Sequence, residues 1–166
     1  TEKIYFMADY TTPTADWVTP TNQSNYSLTF GDVVFNVSIK DLTTNTVKFS
    51  FDNSTGNDFN VTATNGSGYW TTILDVSSLE EGVNLITVHA NDSVGNINTS
   101  TRVTITTDYT APIISWVNPG NGSNYTSTTG NVSFNITVND LTIQTVLFSF
   151  DNNTGNSFNV TGINDS

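Results

Sequence analysis

Apolar and polar residues alternate along most of this chain with a period of two. The segment 33–39 places apolar side chains at every second position, and 132–138 repeats the pattern more cleanly. Side chains of a strand point alternately to its two faces, so this period predicts β-strands rather than helices. Similar segments lie at 47–51, 59–61, 70–76, 86–90 and 97–105. Residues 77–82 allow one helical turn at most.

About seven strands with turns every 8–12 residues predict an all-β fold, a two-sheet sandwich of antiparallel sheets. The turn Asp52–Asn57 should close a hairpin in which Gly56 takes a positive φ. The inward positions of the alternation predict the core, with Trp70 sharing the inward parity. Those core residues are Phe35, Val37, Phe49, Phe51, Leu74, Ile86 and Val88.

The chain also repeats itself at an offset of 99 residues. Segments 9–67 and 108–166 share 35 identities in 59 positions without a gap, and all four prolines belong to the repeat. Residues 2–10 align with 101–109 in the same register. We therefore expect residues 1–8 to be the last strand of a preceding repeat, 9–107 a complete repeat, and 108–166 an incomplete second repeat. This organisation is typical of a tandem array.

The composition of the chain excludes several classes of function. Asp and Glu number 15 against 4 Lys and Arg, for a net charge of −11, and 70 of the 166 residues are Asn, Thr or Ser. An acidic surface disfavours nucleic acid and anionic lipid. No apolar run approaches the roughly 20 residues of a membrane-spanning helix, so no direct membrane insertion is expected in this segment. The absence of cysteine excludes disulfides and thiolate metal sites.

N-glycosylation acceptors are unusually dense. The pattern Asn-x-Ser/Thr occurs 15 times, whereas 23 Asn and 47 Ser plus Thr would give about 6.5 by chance. Four acceptors (Asn36, Asn60, Asn135 and Asn159) are predicted to face solvent from strands. Polar surface for turns and sheets is the alternative interpretation. The acceptors are Asn22, Asn25, Asn36, Asn53, Asn60, Asn65, Asn91, Asn98, Asn121, Asn124, Asn131, Asn135, Asn152, Asn159 and Asn164.

Aspartates mark one end of the predicted sandwich. Asp9, Asp41 and Asp92 fall where the first strand begins and where two later strands end, and Asp108 and Asp140 are their counterparts in the second repeat. Converging carboxylates would hold Ca²⁺, which prefers six to eight oxygen ligands. Aspartates that only cap turns are the alternative.

Catalytic patterns are poor. His89 is the single histidine and is predicted to lie on the outer face of its strand, without a positioned nucleophile. Glu80 and Glu81 are adjacent rather than facing, unlike the carboxylates of a glycosidase. Trp17 and Trp116 occupy the same repeat position and indicate core or junction packing. We therefore expect a protein that is not an enzyme and that requires no cofactor.

The residues Ala90–Asn96 (Ala-Asn-Asp-x-x-Gly-Asn), followed by a strand and by Asp108–Pro112 (Asp-x-x-x-Pro), form a recognisable boundary. It resembles the junction between tandem immunoglobulin-like repeats of bacterial and archaeal surface proteins. The resemblance implies tandem immunoglobulin-like sandwiches and an extracellular or cell-surface location. Such arrays form stalks, adhesins, envelope layers and fibres, or accessory modules of secreted enzymes.

Two classes of function follow. The first is a structural component of a surface array or filament, heavily N-glycosylated and archaeal in origin, whose partners are neighbouring copies or repeats of itself. The second is an adhesin or carbohydrate-binding accessory module. We expect the first, because repetition and acceptor density accompany the lack of an active-site pattern.

Overall fold

A computed structural model describes residues 2–6, 8–53, 55–126, 128, 130–151 and 154–164. The described residues form fourteen strands and, apart from 3₁₀ turns at Leu28–Phe30 and Val76–Ser78, no helix. This confirms the all-β fold class. The strands are β1 (Thr14–Thr19), β2 (Ser24–Ser27), β3 (Asp32–Lys40), β4 (Thr44–Asn53), β5 (Phe59–Thr62), β6 (Thr64–Gly66), β7 (Tyr69–Asp75), β8 (Gly82–Asp92), β9 (Ile97–Asn98), β10 (Arg102–Asp108), β11 (Ile113–Asn118), β12 (Asn135–Asn139), β13 (Leu147–Asp151) and β14 (Ser157–Thr161).

The chain divides into two compact units, Thr1–Tyr109 and Thr110–Ser166. In the first unit, one sheet has the strand order β1-β3-β7-β6 and the other the order β2-β10-β8-β4-β5, with β9 paired to β8. Their inward side chains form one apolar core. The first unit is therefore a β-sandwich.

The alternation predicted the inward face correctly. Phe35, Val37, Phe49 and Ile86 have no exposed surface, and Phe51 and Val88 are buried with them. Leu74 is half-buried and packs against this cluster, as do Trp17 and Trp70. Gly56 has φ +84° in the turn between β4 and β5, as the hairpin prediction requires. The hydrophobic pattern thus fixes which face of each strand meets the core.

One strand pair departs from the antiparallel expectation. β2 runs parallel to β10, with Ser24 opposite Ile105 and Ser27 opposite Asp108. The chain crosses from one sheet to the other between β1 and β2 without reversing, so β2 keeps the direction of β1. The first unit therefore contains one mixed sheet.

The second unit contains two two-stranded sheets, β11-β12 and β13-β14. Its aromatic rings repeat the geometry of the first unit. The rings of Phe134 and Phe150 lie 4.8 Å apart edge to face, as Phe35 and Phe51 do at 4.9 Å. Phe134 is nevertheless 40% exposed. Two paired strands leave one face open, so identical side chains are covered less completely here.

Residues 2–6 and 8, predicted to be the last strand of a preceding repeat, are not in a strand. Ile4 and Phe6 are almost fully exposed, whereas Val103 and Ile105 at the equivalent positions of β10 are buried. β10 pairs with strands of its own repeat. A strand at 2–8 would likewise need the strands of a preceding repeat to pair with. It stays a prediction.

Candidate functional site

The acidic pole is the end of the first sandwich where β3 and β8 finish and β1 and β4 begin. Asp41 follows β3, Asp92 closes β8, and Asp9 precedes β1. One carboxylate oxygen from each of the three residues lies within 4.8 Å of the others. Strand order alone produces this meeting, because Thr14 at the start of β1 pairs with Lys40 and Thr44 at the start of β4 pairs with Asp92.

Asp92 is the most enclosed of the three, with 2% of its surface exposed. Its Oδ1 accepts hydrogen bonds from the amides of Val94, Gly95 and Asn96 at 3.0, 2.7 and 2.8 Å, and its Oδ2 accepts one from Asn96 Nδ2 at 2.6 Å. Burial alone would raise the pKa of Asp92, but these bonds outweigh it and lower the pKa. The side chain therefore stays ionised.

The other two carboxylates are held by threonines. Asp9 accepts hydrogen bonds from the Thr11 hydroxyl and amide at 2.8 and 3.1 Å and from the Thr43 hydroxyl at 2.8 Å. The bonds from Thr11 and then Thr43 lower its pKa. Asp41 Oδ2 accepts from the Thr43 amide at 2.9 Å. Asp41 Oδ1 is buried and has no hydrogen-bond partner among the described residues.

The acidic pole lacks a balancing protein cation among the described residues. Among the described residues, the one ion pair joins Lys40 to Asp16 at 3.2 Å, and it includes none of the three carboxylates of the acidic pole. Three anionic groups within 4.8 Å repel each other, and a cation would relieve that repulsion. The donor set consists of hard oxygens, which suits Ca²⁺ rather than a metal that prefers sulfur or imidazole.

The second repeat reproduces part of this arrangement. Asp140 Oδ1 accepts from the Thr142 amide at 2.8 Å, as Asp41 does from Thr43, and Asp140 Oδ2 is buried without a partner among the described residues. Asp108 ends β10 and is half-buried.

The acceptor asparagines differ in exposure. Of the four predicted to face solvent from strands, Asn60, Asn135 and Asn159 are exposed, and Asn36 is half-buried because its strand has a neighbour on each side. Asn152 lies outside the described residues. The remaining exposed acceptors are Asn22, Asn25, Asn65, Asn121, Asn124, Asn131 and Asn164, and the half-buried ones are Asn53, Asn91 and Asn98.

The acceptor asparagines also differ in which side-chain atom forms a hydrogen bond. Asn98 Nδ2, the atom to which a sugar would be joined, donates to the carbonyl of Pro13 at 2.7 Å. Asn22 uses its oxygen instead, which accepts from the Thr104 amide at 2.8 Å. Asn53 Oδ1 accepts from the amide and hydroxyl of Thr55 within the turn. Only the first of these bonds occupies the sugar-accepting atom at a short distance.

Two residues that support the acidic pole were not predicted from the sequence pattern. Asn96 donates to Asp92, and its side-chain amide also lies 3.5 Å from the carbonyl oxygen of Asp9. Thr43 bonds both Asp9 and Asp41. The Gly-Asn end of the Ala90–Asn96 motif was the available signal for Asn96, since a glycine followed by a polar residue is typical of a tight turn.

His89 forms no described catalytic arrangement. It is half-buried on β8, opposite Lys48 of β4, and the described residues give its side chain no hydrogen bond. Trp70 is partly buried against the core, as its parity predicted. Trp116 is 63% exposed and contacts Phe148, with ring centroids 5.9 Å apart. No described helix is long and apolar enough to cross a membrane.

Comparison with known proteins yields structural likeness only. No family model matches the chain, and no curated protein matches it. An endo-β-1,4-mannanase from Thermotoga petrophila is 11% identical over 61% of this chain, with a TM-score of 0.49. The tetra-tandem repeat in the extending region of a large adhesion protein is 25% identical over 91% of this chain and 37% of its own, with a TM-score of 0.45.

A third structure, BhCBM56, is 16% identical over 61% of this chain and 96% of its own, with a TM-score of 0.39. This chain spans only about a fifth (21%) of the length of the mannanase. All three TM-scores lie below 0.5, so none of these proteins carries its function over to this chain.

Proposed function

We propose that this chain is a non-enzymatic structural segment of an extracellular tandem array of immunoglobulin-like sandwiches. The observation that carries the proposal is the repeat itself. Two segments 99 residues apart share 35 of 59 residues and build the same aromatic contacts. The ring pair Phe51–Phe59 stacks at 4.9 Å and 16°, and Phe150–Phe158 stacks at 5.0 Å and 16°. Repetition of whole domains lengthens a protein without adding a new site.

N-glycans are the second part of the proposal. Ten of the acceptor asparagines are exposed, and they lie on strands, turns and loops of both units. N-linked sugar would keep a neutral polar surface hydrated, since only 11% of the residues are charged. The location that accompanies such modification is outside the cell.

Mass spectrometry of the protein from its native source tests this part. We expect a mass well above the polypeptide mass of 18.0 kDa for this segment, with glycopeptides at exposed acceptors such as Asn60. A segment mass equal to that of the polypeptide would contradict it. The same measurement gives the number of repeats, and a catalytic domain joined to only one or two repeats would favour the accessory-module alternative.

Structural calcium at the acidic pole is the third part. Asp41 Oδ1 supports it, because this buried carboxylate oxygen has no donor among the described residues and lies in a cluster of three carboxylates. An ion there would tie the segment before β1 to the ends of β3 and β8. The repeats would then be stiffened where one begins.

Thermal unfolding with calcium and with a chelator tests the ion. Binding at 100 times Kd would stabilise the folded state by about 2.7 kcal/mol, which for a chain of this size raises Tm by roughly 5–11 °C. Asp41→Asn should abolish that rise, whereas Asp58→Asn, at an exposed residue outside the cluster, should keep it. Equal Tm values with calcium and chelator in the unaltered chain would overturn the calcium proposal.

A further inference from the structure

Asn36 lies at the centre of the outer face of the four-stranded sheet. β3 and β7 place Val34 opposite Ile73, Asn36 opposite Thr71, and Ser38 opposite Tyr69. The side chains of Val33, Phe35 and Val37 are buried in the core, so the even-numbered residues between them face outward. Asn36 is thus surrounded by side chains of its own strand and of the neighbouring one.

Four exposed apolar side chains lie around this position, and we call them the apolar ring. Val34 and Ile73 are 44% and 60% exposed, Tyr69 is 45% exposed, and Val18 is 44% exposed. Val18 is the residue of β1 that the register shift between Trp17 and Thr19 leaves unpaired, and it precedes Thr19, which lies opposite Asn36. The ring is a cluster of exposed apolar surface on a single sheet face.

The two polar atoms of the Asn36 side-chain amide have different roles. Its Oδ1 is buried without a hydrogen-bond partner among the described residues. Nδ2 is the atom that carries sugar in an Asn-Val-Ser acceptor. Because Val33, Phe35 and Val37 face the core, the side chain of Asn36 extends from the outer face of β3, towards the apolar ring.

We propose that an N-glycan on Asn36 folds back over the apolar ring and shields it from water. This inference rests on the proposed glycosylation. Transfer from a phosphate-activated sugar donor joins Nδ2 to C1 of the sugar, breaks the bond from C1 to the phosphate oxygen, and releases one amide proton. Pyranose rings carry C–H groups on their faces, which pack against Tyr69 and the aliphatic side chains of the ring.

The surroundings of Asn60 provide the contrast. Asn60 on the edge strand β5 lies opposite Ser50, Thr62 follows it on the same face, and the exposed Asp58 precedes the strand. A glycan there meets polar surface and water. Two acceptors on strands of one domain should therefore behave differently when their sugars are lost.

The test removes each acceptor site without altering its asparagine, in protein produced by the native source. Ser38→Ala abolishes the site at Asn36, and the matched Thr62→Ala abolishes the site at Asn60. Glycopeptide mapping verifies both losses. Binding of the dye ANS then reports exposed apolar surface, and light scattering reports self-association.

We expect Ser38→Ala to raise ANS fluorescence about two-fold or more and to increase self-association, while Thr62→Ala does neither. Adding Val34→Thr and Ile73→Thr to Ser38→Ala should return dye binding to the original level, which a general loss of folding would not do. Unchanged dye binding after loss of the Asn36 glycan would overturn the inference. Asn36 unmodified while Asn60 carries sugar would overturn it and leave the proposed glycosylation standing, and sugar at neither would defeat both.

Discussion

The side-chain amide of Asn98 donates a hydrogen bond of 2.7 Å to the main-chain carbonyl of Pro13, 85 residues away in sequence. Asn98 also accepts bonds from the amide and hydroxyl of Ser100 at 2.8 Å each. The residue thus fixes the segment between β9 and β10 to the chain entering β1. Asn98 belongs to an Asn-x-Ser/Thr pattern, but its side-chain nitrogen is engaged in a hydrogen bond within the folded chain.

We therefore expect Asn98→Ala to lower the free energy of unfolding by about 1–3 kcal/mol, because the Pro13 carbonyl loses its donor. Asn60→Ala, at an exposed position on an edge strand, should change it by less than about 0.5 kcal/mol. Urea unfolding of both variants makes the comparison. Glycopeptide analysis should also find lower occupancy at Asn98 than at Asn60, and equal stability of the two variants would contradict the structural role.

Much of the fold was predictable because a two-residue period leaves little freedom about which side chains face inward. The buried positions Phe35 and Ile86 follow from it directly. The meeting of the three aspartates also follows, because the ends of neighbouring strands share one pole of a sandwich. The Asn98–Pro13 bond and the parallel pairing of β2 do not, since both depend on how the chain crosses between sheets.

Tyr109 anchors the end of the first unit. Its hydroxyl donates to the carbonyl of Val76 at 2.5 Å and lies 3.2 Å from the carbonyl of Leu79. We expect Tyr109→Phe to cost about 1–2 kcal/mol of unfolding free energy. Tyr10→Phe is the matched control, because Tyr10 holds the same repeat position and is 89% exposed. An equal effect of the two variants in chemical unfolding would contradict the anchoring role.

The same hydroxyl predicts a sensitivity to alkali. Burial raises the pKa of Tyr109 above its ordinary value of 10.0, helped by the negative charges of Asp75, Glu81 and Glu80. The folded chain therefore keeps this proton at a pH where the unfolded chain releases it. Stability from this group is complete below pH 10 and falls as the pH rises towards the folded pKa. Tyr109→Phe should flatten this part of a stability profile.

Acid should weaken the first unit through the opposite shift. The pKa of Asp92 is lowered from 3.8 because its hydrogen bonds outweigh the effect of burial, so the unfolded chain binds a proton first as the pH falls. Its contribution is present above pH 4 or so and is lost as the pH falls through the folded pKa. We expect Asp92→Asn to flatten the acid limb of the thermal unfolding profile measured in chelator, and Asp58→Asn to leave it unchanged. A steeper acid limb in Asp92→Asn would show that another group controls it.

The two repeats offer one substitution in two environments. Phe35 is fully buried, with its ring 4.9 Å from Phe51, and Phe134 makes the equivalent contact at 4.8 Å while remaining 40% exposed. Phe35→Ala should cost about 3–5 kcal/mol, because it removes a fully desolvated ring and leaves a cavity. Phe134→Ala should cost about half as much or less, because water already reaches that ring and can fill the space. Hydrogen exchange read separately for the two units measures both effects, with faster exchange expected across β3 and β4 in the first variant and across β12 and β13 in the second. Losses of equal size would mean that sequence identity between the repeats, rather than burial, sets the contribution of this residue.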